Sequence, residues 1–256
     1  MSLLLAKLVL TPLLIAAVTL AGRRWGPAMG GWLAGLPLTS GPVSVFLALE
    51  QGPDFAVRAA VGTLAGLVGV ACFCLVYARL ARNRSWIPAT AFGIATYLAS
   101  TAVLSGIPLS LGSTAAGTLA LLLLTLRLLP TAVGAADAPT PLRWDVAVRM
   151  VVASALVLVL TATAALLGPK LSGLLSPFPV FATVLAVFTH RHAGVAATQQ
   201  LLRGIVVGSF AFVGFFVVVA AALDRWDVTG TYVVACASAL VINLVLRPLL
   251  ASGRSP

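Results

Sequence analysis

The sequence predicts an all-α, polytopic membrane helix bundle of about nine transmembrane helices, and three observations carry that prediction. Hydrophobic residues make up 61% of the 256 and charged residues only 9%, with a mean hydropathy of +1.10. Soluble domains carry roughly a quarter charged residues, so this chain cannot cover a water-facing surface of its own size. The apolar runs are about 20 residues long, the length that crosses the hydrocarbon core as helix. They are continuous in Leu, Val, Ala and Gly rather than alternating. That excludes a β-barrel, the other structure that satisfies its backbone in lipid.

The runs place helices at 3–21, 27–48, 55–80, 86–106, 110–129, 145–167, 171–189, 197–222 and 228–247. The first resembles a secretory signal, with Ala16 to Gly22 as its cleavage site. Lys7 inside the run and Arg23-Arg24 directly after it oppose that, so it is read as a mature helix. In the second, Gly35-Leu36-Pro37-Leu38-Thr39-Ser40-Gly41-Pro42 cannot form unbroken helix, because Pro37 and Pro42 lack the N–H of the intrahelical bond. Thr39, Ser40 and Ser44 are the local groups available to the freed carbonyls in lipid. The third carries Gly62-x-x-x-Gly66 and the eighth Gly204-x-x-x-Gly208, flat strips that admit close helix approach. These two helices are expected to cross. Only Ser105-Gly106-Ile107-Pro108, a turn signal, separates the fourth from the fifth. The seventh repeats the interruption at Ser176-Pro177-Phe178-Pro179.

Charge sets the orientation. Nine helices divide the 16 basic residues 12 to 4 between the two sides. The richer side is cytoplasmic by the positive-inside rule, which puts the N-terminus outside and the C-terminus inside a bacterial-type inner membrane. The net charge of +10 is scattered over helix ends without aromatic interleaving. Lipid head groups, not nucleic acid, are its expected partners. A homodimer is allowed. Cys72, Cys74 and Cys236 lie within spans and read as packing residues; no metal and no cofactor is expected.

A repeat runs through the chain at a constant offset of 142. Gly26-Pro27 recurs as Gly168-Pro169, Gly31 as Gly173, Pro37 as Pro179 and Gly52 as Gly194. Gly62 and Gly66 recur as Gly204 and Gly208, and Lys7 corresponds to Arg149. Matched Gly and Pro weigh most, because both specify unusual backbone. Residues 1–142 hold five helices, an odd number, so residues 143–256 with four must enter from the opposite face. The expectation is a single membrane domain of two inverted-topology repeats.

Residues 171–200, with Gly173-Leu174, Phe178-Pro179, Phe181-Ala182 and Gly194, resemble the GlpM-like inner-membrane proteins. Those share a Gly-Leu-(x)3-Phe-Pro-x-Phe-Ala segment followed by Glu-x-Gly. The chain has His192 where the pattern has Glu, while its first half keeps Glu50-x-Gly52 without the Phe-Pro core. The resemblance implies a tandem of that family and a membrane location, and no substrate.

Enzyme chemistry lacks its parts: there are six acidic residues and no HExxH, GxSxG or phosphate-binding glycine loop. Inverted repeats with paired interrupted helices are the plan of transporters, whose half-helix ends face a solute at mid-membrane. The expected function is therefore transport or translocation of a small or amphipathic, anion-leaning solute by alternating access. The alternative is a non-catalytic accessory or scaffold subunit. The solute site is expected at Pro37, Thr39, Ser40, Gly41, Pro42, Ser44, Ser176, Pro179 and Phe181. Gating or coupling candidates are Glu50, Asp54, Arg58, Lys7 and Arg149. Against that role, Lys7 and Arg149 are expected to snorkel to the interface, and few acids are expected to be buried.

Overall fold

The computed structural model describes residues 2–130, 144–156, 158–159 and 178–248. Most of these residues are helical, and none is in a strand. The helices are α1 (Ser2–Trp25), α2 (Pro27–Ala34), α3 (Ser40–Gln51), α4 (Pro53–Leu80), α5 (Trp86–Ser105), α6 (Leu111–Leu128), α7 (145–156), α8 (Val180–Ala222) and α9 (Val228–Leu246). Five of them, α4, α5, α6, α8 and α9, are long and apolar enough to cross a membrane. Their outward faces are lipid-like: Ile87, Phe92 and Val103 on α5, Leu123 and Leu124 on α6, and Leu240, Leu244 and Val245 on α9 are all exposed. In water these side chains would be costly to expose; in lipid they are the solvent-facing surface. The chain is an α-helical membrane protein.

Glycine and proline divide the chain into these elements. Gly26 and Gly52 adopt φ +96° and +87°, a conformation that disfavours any side chain. Each is followed by a proline at the first helical position, where a missing N–H is harmless. Gly194, with φ +76°, breaks α8 in the same way. A straight helix of 43 residues would be about 64 Å long, twice the hydrocarbon thickness. Instead α8 folds back into two arms. His190 and Gln199, on either side of the break, both reach the same end of α4. His190 packs edge-on to Tyr77, and Gln199 donates through Nε2 to the Ala78 carbonyl at 3.3 Å.

That last bond also fixes direction. Gln199 is near the start of the second arm of α8 and Ala78 near the end of α4, so the two helices run antiparallel. They form the buried centre, with Leu64, Phe73 and Tyr77 of α4 and Leu202, Ile205 and Phe216 of α8 all enclosed. Around them, α6 is tied to α4 by the Thr118 hydroxyl donating to the Leu64 carbonyl at 3.1 Å.

The interruption expected in the second helix lies between α2 and α3. Helix α2 stops at Ala34, and α3 begins with Gly41 and Val43 donating to the carbonyls of Pro37 and Thr39. Pro37 makes the break. Pro42 sits in the first turn of α3 and needs no partner there. Helix boundaries also recur at the offset of 142: α4 ends at Leu80 and α8 at Ala222, and α5 begins at Trp86 and α9 at Val228.

The glycine strip of α8 faces a helix other than the expected one. A Cβ at Gly204 would collide with the Ala28 carbonyl and lie 2.8 Å from the Trp32 nitrogen; at Gly208 it would meet the Trp32 carbonyl and the Gly35 Cα. The strip receives α2, not α4, and Gly31 of α2 and Gly35, which caps it, reciprocate against Leu201 and Ile205. Helices α4 and α8 do pack together, through larger side chains. The Gly62–Gly66 strip runs from half-buried to buried along α4.

Candidate functional site

A cavity of about 50 Å³ lies where the α2–α3 break meets the start of α8. Ala34, Gly35, Leu36, Thr39 and Ser40 form one wall, and Phe178 to Ala182 form the wall opposite. Leu67 and Val70 of α4 and Ile205, Ser209 and Phe212 of α8 close it between them. Leu67 is at the midpoint of α4 and Ser209 at the midpoint of the second arm of α8, so the cavity sits at mid-bundle depth. Five pairs of its lining residues stand 142 positions apart: Leu36 and Phe178, Thr39 and Phe181, Ser40 and Ala182, Leu67 and Ser209, Val70 and Phe212.

The polar groups are few. Ser40 is 7% exposed, and no side-chain hydrogen bond holds its hydroxyl among the described residues. The Ser209 hydroxyl donates within its own helix to the Ile205 carbonyl at 2.8 Å. Helices α3 and α8 both begin here, and the first N–H groups of a helix carry partial positive charge. Among the described residues, the lining has no ionised side chain.

Of the nine residues expected at this site, Thr39, Ser40, Pro179 and Phe181 line the cavity. Pro37 makes the break beside it and Pro42 lies in the first turn of α3. Gly41 faces the Phe215 ring. Ser44 is turned away: its hydroxyl pairs with the Tyr232 hydroxyl of α9 at 2.7 Å. Ser176 lies outside the described residues. Of the gating candidates, Glu50, Asp54 and Arg58 are exposed and form no ion pair among the described residues. The Lys7 side chain lies outside the described residues.

Arg149 does not snorkel. It is 7% exposed, and its Nε and one terminal nitrogen each stand 3.1 Å from Oδ2 of Asp145. Arg23 at the end of α1 donates to the same oxygen at 2.6 Å. The Phe188 ring of α8 stacks on the Arg149 guanidinium at 4.9 Å. Asp145, itself 7% exposed, is a buried acid that sequence reasoning missed. Its signal was the Asp145-x-x-x-Arg149 spacing, which aligns opposite charges on one helix face, in a chain with six acids in all. The cluster joins α1, α7 and α8 at the end of the bundle where α1 finishes.

Set against known proteins, the chain matches no family model, no curated protein and no solved structure.

Proposed function

We propose that this chain is a transporter of a small solute, working by alternating access between two inverted-topology repeats, residues 1–142 and 143–256. The carrying observation is the cavity at mid-bundle depth, ten of whose fifteen lining residues form pairs 142 positions apart. Such pairing is what a site on a pseudo-twofold axis produces. The inversion is supported by the antiparallel course of α4 and the second arm of α8, which correspond under the offset. The recurrence of positive φ at Gly52 and Gly194 supports the repeat itself. Nine spans, an outside N-terminus and descent from a GlpM-like tandem complete the reading.

A repeat that packs on its inverted copy has two equivalent ways to tilt, one opening to each side. At about 50 Å³ the cavity has room for only a few water molecules, which fits a conformation closed on both sides. The solute meets the Thr39 and Ser40 hydroxyls and the Phe178, Phe181 and Phe212 rings. This chemistry suits a small amphipathic or anionic molecule. In proteoliposomes, a Thr39→Ala, Ser40→Ala double variant should fold normally and lose flux. Each lost hydrogen bond weakens binding by about 0.5–1.5 kcal/mol for a neutral solute, or roughly 1.5–3 for a charged one. Undiminished flux would place the site elsewhere. Absence of any flux, with stable co-purification of another membrane protein, would favour the accessory-subunit reading.

A further inference from the structure

We propose that the ion cluster at the end of the bundle where α1 finishes is a second binding site, one that takes a phosphate-type oxyanion still carrying a proton. It shares no lining residue with the mid-bundle cavity and stands whether or not that cavity carries solute. A cavity of about 60 Å³ adjoins the cluster, lined by Arg23, Asp145 and Arg149 together with Thr19, Thr189 and His192. All three guanidinium contacts converge on one oxygen, Asp145 Oδ2. Among the described residues the other oxygen, Oδ1, is buried without a partner, as is the Thr19 hydroxyl.

Two requirements follow for a ligand. Among the described residues two guanidiniums face one carboxylate, which leaves one positive charge uncompensated beside a buried carboxylate. Each guanidinium has five N–H donors, so most remain available, and their planar fork matches a tetrahedral oxyanion. Phe188 holds the Arg149 plane in place. The first requirement is therefore an anion. The second comes from Oδ1, which can only accept, so the ligand must bring an O–H. Inorganic phosphate meets both requirements as H2PO4⁻ or HPO4²⁻, each of which keeps an O–H, and a phosphomonoester meets them while singly ionised, below its second ionisation at about 6. Sulfate, with no proton to give, would set a bare oxygen against the carboxylate. The same chemistry is presented by free phosphate and by a lipid phosphomonoester head group. Arg23, with 28% of its side chain exposed, leaves the site open at the bundle end.

The test uses the full chain at pH 6, with thermal unfolding read against inorganic phosphate or sulfate at matched ionic strength. A parallel arm uses nanodiscs containing phosphatidic acid, a phosphomonoester, or phosphatidylglycerol, a diester. Inorganic phosphate is expected to raise the unfolding temperature at pH 6 and at pH 8 alike, because HPO4²⁻ still carries an O–H, while sulfate does not. The effect of phosphatidic acid is expected to fade towards pH 8 as its last proton leaves. R149Q should weaken phosphate roughly tenfold to a hundredfold, and D145N should let sulfate bind. Stabilisation by phosphatidic acid alone identifies a lipid head group as the source, and stabilisation by inorganic phosphate identifies the free anion. Equal effects of phosphate and sulfate on the unaltered chain would overturn the proposal, as would no response to phosphate or phosphatidic acid. If neither variant folds, the contrast between phosphate and sulfate on the unaltered chain decides alone.

Discussion

Replacing Gly204 by alanine should be among the most damaging single-methyl changes in the chain. The added Cβ would collide with the Ala28 carbonyl and approach the Trp32 nitrogen to 2.8 Å. Both obstacles are helix backbone, which cannot turn aside as a side chain can, so α2 must shift bodily off α8. Overpacking of a close-packed interior costs about 1–3 kcal/mol, and a backbone obstacle places Gly204→Ala near the upper figure. Gly208→Ala should behave alike, since its Cβ meets the Trp32 carbonyl and the Gly35 Cα. The controls are Gly112 and Gly117 on α6, where a Cβ has nothing within 4 Å. Alanine there should stabilise by about 0.5–1 kcal/mol through helix propensity alone. Denaturant unfolding of the four variants in one detergent gives the comparison. If Gly204→Ala unfolds together with Gly117→Ala, the seating of α2 in the α8 glycine strip is wrong.

Ser44→Ala and Tyr232→Phe should each cost about 0.5–1.5 kcal/mol, and a double-mutant cycle should show that the two losses are largely one hydrogen bond. Asp145→Ala should destabilise by about 3–5 kcal/mol, because it strands two guanidiniums. Arg149→Ala should cost less in the same unfolding assay, since Arg23 still pairs with Asp145. Impermeant labelling of single cysteines should find the N-terminus outside and the C-terminus inside; both on one side would contradict nine spans.

What was legible in the sequence was whatever the backbone alone dictates. Gly52 and Gly194 could be matched across the chain because both hold a φ near +80° that other residues avoid. Pro37 announced the α2–α3 break because no helix accommodates it there. The boundaries of α5 and α6 followed from the turn between them. What was not legible depends on partners brought together by the fold. Ser44 looked like a cavity residue until Tyr232, 188 positions away, claimed its hydroxyl. Arg149 looked like a snorkelling end charge because half of its environment, Arg23, comes from 122 positions before Asp145. Gly204 announced a close approach correctly, but a small-residue strip does not say which helix will lie in it.

Alternating access can be measured without knowing the solute. Thr39 would be replaced by cysteine in a chain freed of Cys72, Cys74 and Cys236, then exposed to a membrane-impermeant thiol reagent in right-side-out and in inverted vesicles. Position 39 lines the mid-bundle cavity, so the account predicts labelling from both sides, at rates that shift in opposite directions when either side is locked. Labelling from one side only, or from neither, would contradict it.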